Sequence, residues 1–136
     1  MMKRRIFIVS LTITLSIYCA GQNLNQIKKA AKSYSLDYKK LELWRKDRNG
    51  CRGYRCLYYD SVRNNKAIIG MPQKVFDVLF GKPDQKVKDG EGYTYTFECC
   101  SSSCDKKGEL KSDSEAVSFA FTFVGGKLTL MGISIT

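Results

Sequence analysis

Hydrophobic positions along this chain change their period twice. Residues 6–18 (IFIVSLTITLSIY) are continuously apolar apart from Ser and Thr. Between Leu36 and Phe80 the apolar residues recur every three or four positions, and from Tyr93 onward they alternate. The middle region predicts helices and the last region strands. Leu36, Leu41, Leu43 and Trp44 among the charges of LDYKKLELWRK predict a first amphipathic helix, ended by the turn pair Asn49-Gly50. The stretch 51–63 (CRGYRCLYYDSVR) reads as a second helix. Cys56, Tyr59 and Arg63 form one row on it, and Tyr58 and Val62 a neighbouring one. A third helix lies inside GMPQKVFDVLFGKPD, with Val75, Val78 and Leu79 on one face and Phe76 and Phe80 widening it. Pro72 suits its first turn, Gly81 the positive-φ position past its end, and Pro83 prevents continuation. That punctuation belongs to a capped helix. A phosphate loop would need a glycine-rich run ending in Lys-Ser or Lys-Thr.

Past Asp84, residues 85–92 read as a turn or loop, and Tyr93, Tyr95, Phe97 and Cys99 then mark the inward side of a strand. Residues 101–115 form a polar excursion. Val117, Phe119, Phe121 and Phe123 mark a second strand, and Val124-Gly125-Gly126-Lys127 reads as a tight hairpin. In the return strand the apolar parity moves from Leu128 and Leu130 to Ile133 and Ile135, which predicts a β-bulge around Met131-Gly132. The expected fold class is α+β: two or three N-terminal helices packed on one face of an antiparallel meander sheet of three or four strands. Residues 36–136 then form a single domain, and the polar, lysine-rich residues 22–35 a tether or loose helix in front of it.

The chain's beginning sets the compartment. Lys3, Arg4 and Arg5 precede a thirteen-residue apolar run, which is too short to span a bilayer core of about 30 Å as a helix. Residues 1–21 therefore read as a signal peptide cleaved after Gly21, with small residues at Cys19 and Gly21. The alternative is lipid attachment at Cys19, although Ser16 and Tyr18 stand where such sites carry Leu and a small residue. Either way the domain is exported, to the periplasm or beyond, with outer-membrane anchoring as the lipidated form. An uncleaved anchor is the third option.

Charge is uneven. Residues 22–74 hold thirteen Lys and Arg against four acids, a net of +9, and residues 75–136 hold seven against nine, a net of −2. Basic residues 28–74 could meet an anionic surface; as plain solvation of helical faces they would keep an exported domain soluble. The chain has no His, which removes Ser-His and Cys-His nucleophile pairs and histidine metal ligands. Acid–base work would fall to Asp77, Asp84, Asp89, Glu91 and Glu98, spread over a helix, a loop and a strand. Tyr54, Tyr58, Tyr59, Tyr93 and Tyr95 could stack bases, but at helical and strand spacings they read as core lining, and no nucleic-acid partner is expected.

Five cysteines, Cys51, Cys56, Cys99, Cys100 and Cys104, remain after the leader. In an oxidising compartment they are disulfide candidates. Cys51–Cys56 becomes feasible if Cys51 sits in the turn, and Cys104 could reach back to Cys99 or Cys100. A bridge from the helical pair to the strand cluster would close a longer loop and stabilise more. Thiolate metal sites are the rival; their usual spacings differ from these, and neither metal nor cofactor is expected.

One segment carries a family resemblance. Gly70-Met71, Val75, then Leu79-Phe80-Gly81-Lys82-Pro83-Asp84 resembles the signature of small outer-membrane lipoproteins of the SmpA/OmlA type, related in fold to β-lactamase-inhibitor-like domains. The Tyr-rich strand at Tyr93–Phe97 and the hairpin at Gly125-Gly126 sit where that family has them, so the resemblance covers about residues 68–136. It implies helices packed on an antiparallel sheet and a protein-binding accessory role instead of catalysis. Gly70, Met71, Val75, Leu79, Gly81 and Pro83 are its structural positions. The reading is thus a non-enzymatic binding domain of the bacterial cell envelope, its partner another envelope or secreted protein met through the sheet face or the loop 99–115. The alternatives are a lipoprotein supporting barrel assembly or envelope integrity, and an inhibitor of a secreted hydrolase.

Overall fold

A computed structural model describes residues 24–99, 104–109 and 117–135. Residues 1–23, which include Cys19, as well as Cys100 and most of the polar excursion, lie outside the described residues. Four helices precede a four-stranded antiparallel meander, ordered β1-β2-β3-β4. Helix α1 covers residues 24–33, α2 Tyr38–Lys46, α3 Tyr54–Arg63 and α4 Gln73–Phe80; the strands are β1 Gln85–Asp89, β2 Gly92–Cys99, β3 Val117–Val124 and β4 Lys127–Ile135. The α+β expectation holds. No described helix is long and apolar enough to cross a membrane.

The helices start and stop for identifiable reasons. The Asp37 carboxylate accepts from the Lys39 and Lys40 amides and caps α2. Arg45 and Lys46 occupy the last turn of α2, the end where the helix dipole favours cations. Helix α3 begins at Tyr54, after Gly53 at φ +77°, so Cys51 stands in a turn and the helix expected from Cys51 onward is shorter by one turn. Helix α1 places Ala31 in the core at 1 % exposure, so of the tether or loose helix expected over residues 22–35 the helix is what forms, and it packs on the body.

Trp44 is the centre of the core. Its ring meets Phe80 at 5.6 Å, Phe97 at 5.5 Å and Phe119 at 6.0 Å, joining α2 and α4 to β2 and β3. Such offset and edge-on aromatic pairs add to the burial of large apolar surfaces. The inward row Tyr95, Phe97, Phe119, Phe121 and Phe123 is buried, as the alternation predicts. On α4 the buried face is Phe76, Leu79 and Phe80, while Val78 is exposed, so the apolar stripe is rotated towards the phenylalanines. The aromatic sheet surface accounts for this: Phe76 lies 4.9 Å from Phe121 and 5.0 Å from Phe123, a fit that valine would not fill.

The glycine-proline punctuation ties α4 to the sheet. Gly70 donates its amide to the Leu128 carbonyl at 2.8 Å, Leu128 returns a bond to Met71, and Pro72 bridges Lys127. This short strip pins the start of β4 and displaces the bulge. Leu128 pairs with Phe123 and Leu130 with Thr122, so the extra residue is Thr129, not one near Met131-Gly132. The Thr129 hydroxyl donates to the Thr122 carbonyl at 3.0 Å and satisfies it at the irregularity. Leu128 consequently points inward and Leu130 outward. The region 85–92, expected to be loop, supplies β1 and its hairpin to β2. Its Gln-Lys-Val-Lys-Asp sequence is exposed throughout, so no burial pattern marked it as a strand.

Candidate functional site

The most elaborately held part of the molecule is the corner where the α2–α3 turn meets the ends of α4 and β2. Arg48–Gly50 forms one 3-10 turn, with Asn49 at φ 58°. A side chain on Gly50 would collide with the Glu98 carbonyl, so only glycine fits this approach. Asp47, fully buried, accepts from the Arg52 amide at 2.7 Å and the Arg55 amide at 3.0 Å. One carboxylate thereby satisfies two amides at the entrance to α3.

Arg55 is 2 % exposed, an unusual position for a guanidinium. It is paired with Asp84 at 2.5 Å, and it also donates to the Trp44 and Glu98 carbonyls at 3.3 Å each. Its plane lies over Trp44 and Phe97. Asp84 in turn accepts from the Glu98 amide at 2.7 Å and the Asn49 amide at 3.3 Å. Glu98 is buried beside this pair, and its Oε2 has no hydrogen-bond partner among the described residues. Burial first, and the Asp84 charge second, push its carboxyl above the ordinary glutamate value of 4.5; Arg55 pulls in the opposite direction.

Two disulfides close the same corner. Cys51 is joined to Cys104 and Cys56 to Cys99, with Cα separations of 5.7 and 5.6 Å. Both connect the pair Cys51 and Cys56 with the later cysteine cluster, the longer-loop option among the pairings open to the sequence. Two such bridges indicate an oxidising location outside the cytoplasm. No group of His, Cys, Asp and Glu among the described residues could hold a metal ion.

Of the five candidate carboxylates, only Asp84 and Glu98 come together, and they meet around Arg55. Asp77 is on α4, while Asp89 and Glu91 are in the β1–β2 turn region. Among the tyrosines, Tyr58, Tyr59 and Tyr95 line the core. Tyr59 stacks on Phe119 at 3.5 Å and donates to the Gly132 carbonyl. Sequence reasoning missed Arg55 and Asp47 as network members. The available signal was an arginine on the apolar side of a helix, three positions before Tyr58 and so on the same face as Tyr58 and Val62.

The corner opens into a basic cleft of about 370 Å³, lined by Arg45, Arg48, Asn49, Arg55, Lys82 and Asp84 together with Pro83. Arg45 is held by donating to the Leu79 carbonyl at 2.9 Å, which also caps α4. Arg48 lines a second hollow of about 420 Å³ as well, which runs past Arg52 to the Cys51–Cys104 bridge, Lys106 and Lys107.

Compared with known proteins, the chain matches no family model, no curated protein and no solved structure.

A second surface lies on the other side of the sheet. The register places Val87, Thr94, Thr122 and Leu130 in one row across all four strands, and Gln85, Thr96, Ala120 and Gly132 in the next. The helices cover the opposite face, so these side chains project away from them. Leu130 is 62 % exposed and Val87 56 %, with the threonines half-buried between them. Thr94 and Thr122 hydroxyls sit 3.3 Å apart, which keeps the middle of the face short and level.

Proposed function

We propose that this protein is an exported, non-catalytic binding domain of the bacterial cell envelope, and that its open sheet face receives a partner protein. The observation that carries this is the row Val87–Thr94–Thr122–Leu130. Its two exposed aliphatic ends flank a level, weakly polar centre. Val87 and Leu130 stay exposed on a sheet face that the described helices leave uncovered, and that face is open to a partner. The resemblance of Gly70–Asp84 to the SmpA/OmlA-type lipoproteins supports the same reading, as does the oxidising location that the disulfides indicate. The signal peptide ending at Gly21 would deliver the domain to the periplasm or the medium; a lipid on Cys19 would hold it at the outer membrane.

The test uses a photo-crosslinking amino acid at Thr122 in the producing cell, with the exposed Asp60 of α3 as the control position. One discrete adduct from Thr122, absent at Asp60 and lost on Leu130→Glu, supports the reading. Equal or no adducts from both positions refute it. If the adduct is a secreted hydrolase whose activity falls on binding, the domain is an inhibitor. Metabolic labelling with a palmitate analogue, lost on Cys19→Ser, identifies the lipoprotein form.

A further inference from the structure

The basic corner is remote from the open sheet face in its chemistry and does not depend on that reading. Two adjoining hollows share Arg48. In the first, Arg45, Arg48 and Lys82 converge, while the charge of the nearby Arg55 is already met by Asp84. In the second, Arg48 is joined by Lys46, Arg52, Lys106 and Lys107, with Asp105 the one carboxylate in its described lining. The only ion pairs among the described residues are Lys46–Glu42 and Arg55–Asp84, so Arg48, Arg52, Lys82, Lys106 and Lys107 have none there. Holding so many like charges together is unfavourable unless an anion joins them.

The backbone that carries these cations is held in place. Arg48 belongs to the turn fixed by Asn49, Gly50 and the Asp84 carboxylate. Lys106 and Lys107 follow Cys104, which is bonded to Cys51 three residues after Arg48, and the Asp105 carboxylate accepts the Lys107 and Glu109 amides. The corner is therefore preorganised, which reduces the ordering cost of binding.

We propose that this double hollow is a binding site for a small ligand carrying two phosphate groups, one in each lobe, with Arg48 between them. Guanidinium forks and ammonium groups match phosphate oxygens. The excess of three cations in the first lobe suits a group of charge near −2 better than a single carboxylate. Among the described residues no aromatic side chain lines either lobe, so a stacked nucleobase lacks a platform there. The volumes lie in the range of small-molecule sites, and the concavity favours a compact ligand over a planar membrane.

The test is calorimetric titration of the exported, disulfide-bonded protein with fructose 1,6-bisphosphate as the probe. Fructose 6-phosphate, citrate, and vesicles of phosphatidylcholine with and without phosphatidic acid are the comparisons. The bisphosphate should bind at least about tenfold more tightly than the monophosphate or citrate, and Arg48→Gln should weaken it by about tenfold or more, as loss of a charged hydrogen-bonding group implies. Lys82→Gln and Lys107→Gln, one in each lobe, should each weaken it, while the remote Lys66→Gln should change it less than about twofold. Arg48 and Lys82 are exposed, so these variants should keep the wild-type circular dichroism spectrum. The proposal is overturned if Lys66→Gln weakens binding as much as Arg48→Gln, if citrate competes equally with the bisphosphate, or if only the acidic vesicles bind. Absence of bisphosphate binding at millimolar concentration also overturns it.

Discussion

Replacing Asp84 with Asn tests the account of the corner most directly. The carboxylate takes three donors: the Arg55 guanidinium at 2.5 Å, the Glu98 amide at 2.7 Å and the Asn49 amide at 3.3 Å. An asparagine that keeps its oxygen towards Asn49 turns an NH2 group towards the other two donors. Arg55 then remains 2 % exposed without its ion-pair partner, and the Glu98 carboxyl nearby is itself held towards its neutral form by burial. Losing the charged bond and stranding a buried guanidinium should cost about 3–5 kcal/mol. Arg55→Met alone strands the Asp84 carboxylate beside Glu98 and should also cost several kcal/mol. The double variant removes both charges together, so its loss should fall short of the sum of the singles by about 1–3 kcal/mol. Urea unfolding with both disulfides intact measures all four corners of this cycle. Strict additivity, or a loss below about 1 kcal/mol for Asp84→Asn, would refute the claim that the pair organises the corner.

The disulfides should behave as two rungs of one ladder. Taken singly, loops of 53 and 43 residues each restrict the unfolded chain by about 4 kcal/mol. With one rung closed, the other closes only about ten further residues of chain, which is worth about 3 kcal/mol. Cys51→Ser/Cys104→Ser and Cys56→Ser/Cys99→Ser should therefore each cost about 3 kcal/mol, and the quadruple variant about 7. A quadruple variant as stable in denaturant as either pair would contradict this. Glu98 gives a pH signature. Its carboxyl is raised above 4.5 by burial, so the folded state holds the proton more tightly than the unfolded chain. That stability is fully present below 4.5 and is lost as pH rises from there through the raised value. Glu98→Gln should flatten this slope and gain on the wild type from pH 4 to pH 7; equal pH profiles of the two proteins would refute it.

Legibility in the sequence followed burial. The period-two rows of β2 and β3 were readable because the inward residues, Val117 apart, are aromatic or sulfur-bearing and the outward ones, Val124 apart, are short or polar. The hairpin at Gly125-Gly126 was readable because two successive positive-φ residues leave few alternatives. Strand β1 was not readable, since an exposed edge strand has no face to declare. The bulge was read as a parity change but misplaced by two residues. Its position is set by the Gly70–Met71 strip pinning Leu128, a contact between segments nearly sixty residues apart. The disulfide candidates were visible as a set, but their pairing needed the turn at Asn49-Gly50 to bring Cys51 alongside Cys104. The roles of Arg55 and Asp47 were harder to read for a different reason. A buried charge looks like any surface charge until its partner is known, and Asp84 lies 29 residues away.

The placement of these constraints is itself informative. A domain of this size with Trp44 ringed by five aromatic side chains within 6.4 Å has the means to stabilise itself through its core. If cross-links served global stability alone, bridges spread over the chain would restrict the unfolded state more than two rungs five residues apart. Both instead fall at one corner, together with a buried ion pair, a capping aspartate and a glycine that tolerates no side chain. Each of these holds the same short turn, and that turn's most prominent side chain is Arg48, exposed and without a counter-ion among the described residues. A turn needs no such reinforcement to connect two helices. Reinforcement at this density makes physical sense where the position of a charge matters, because a guanidinium carried on a turn fixed in advance binds an oxyanion at a smaller ordering cost than one on a mobile loop.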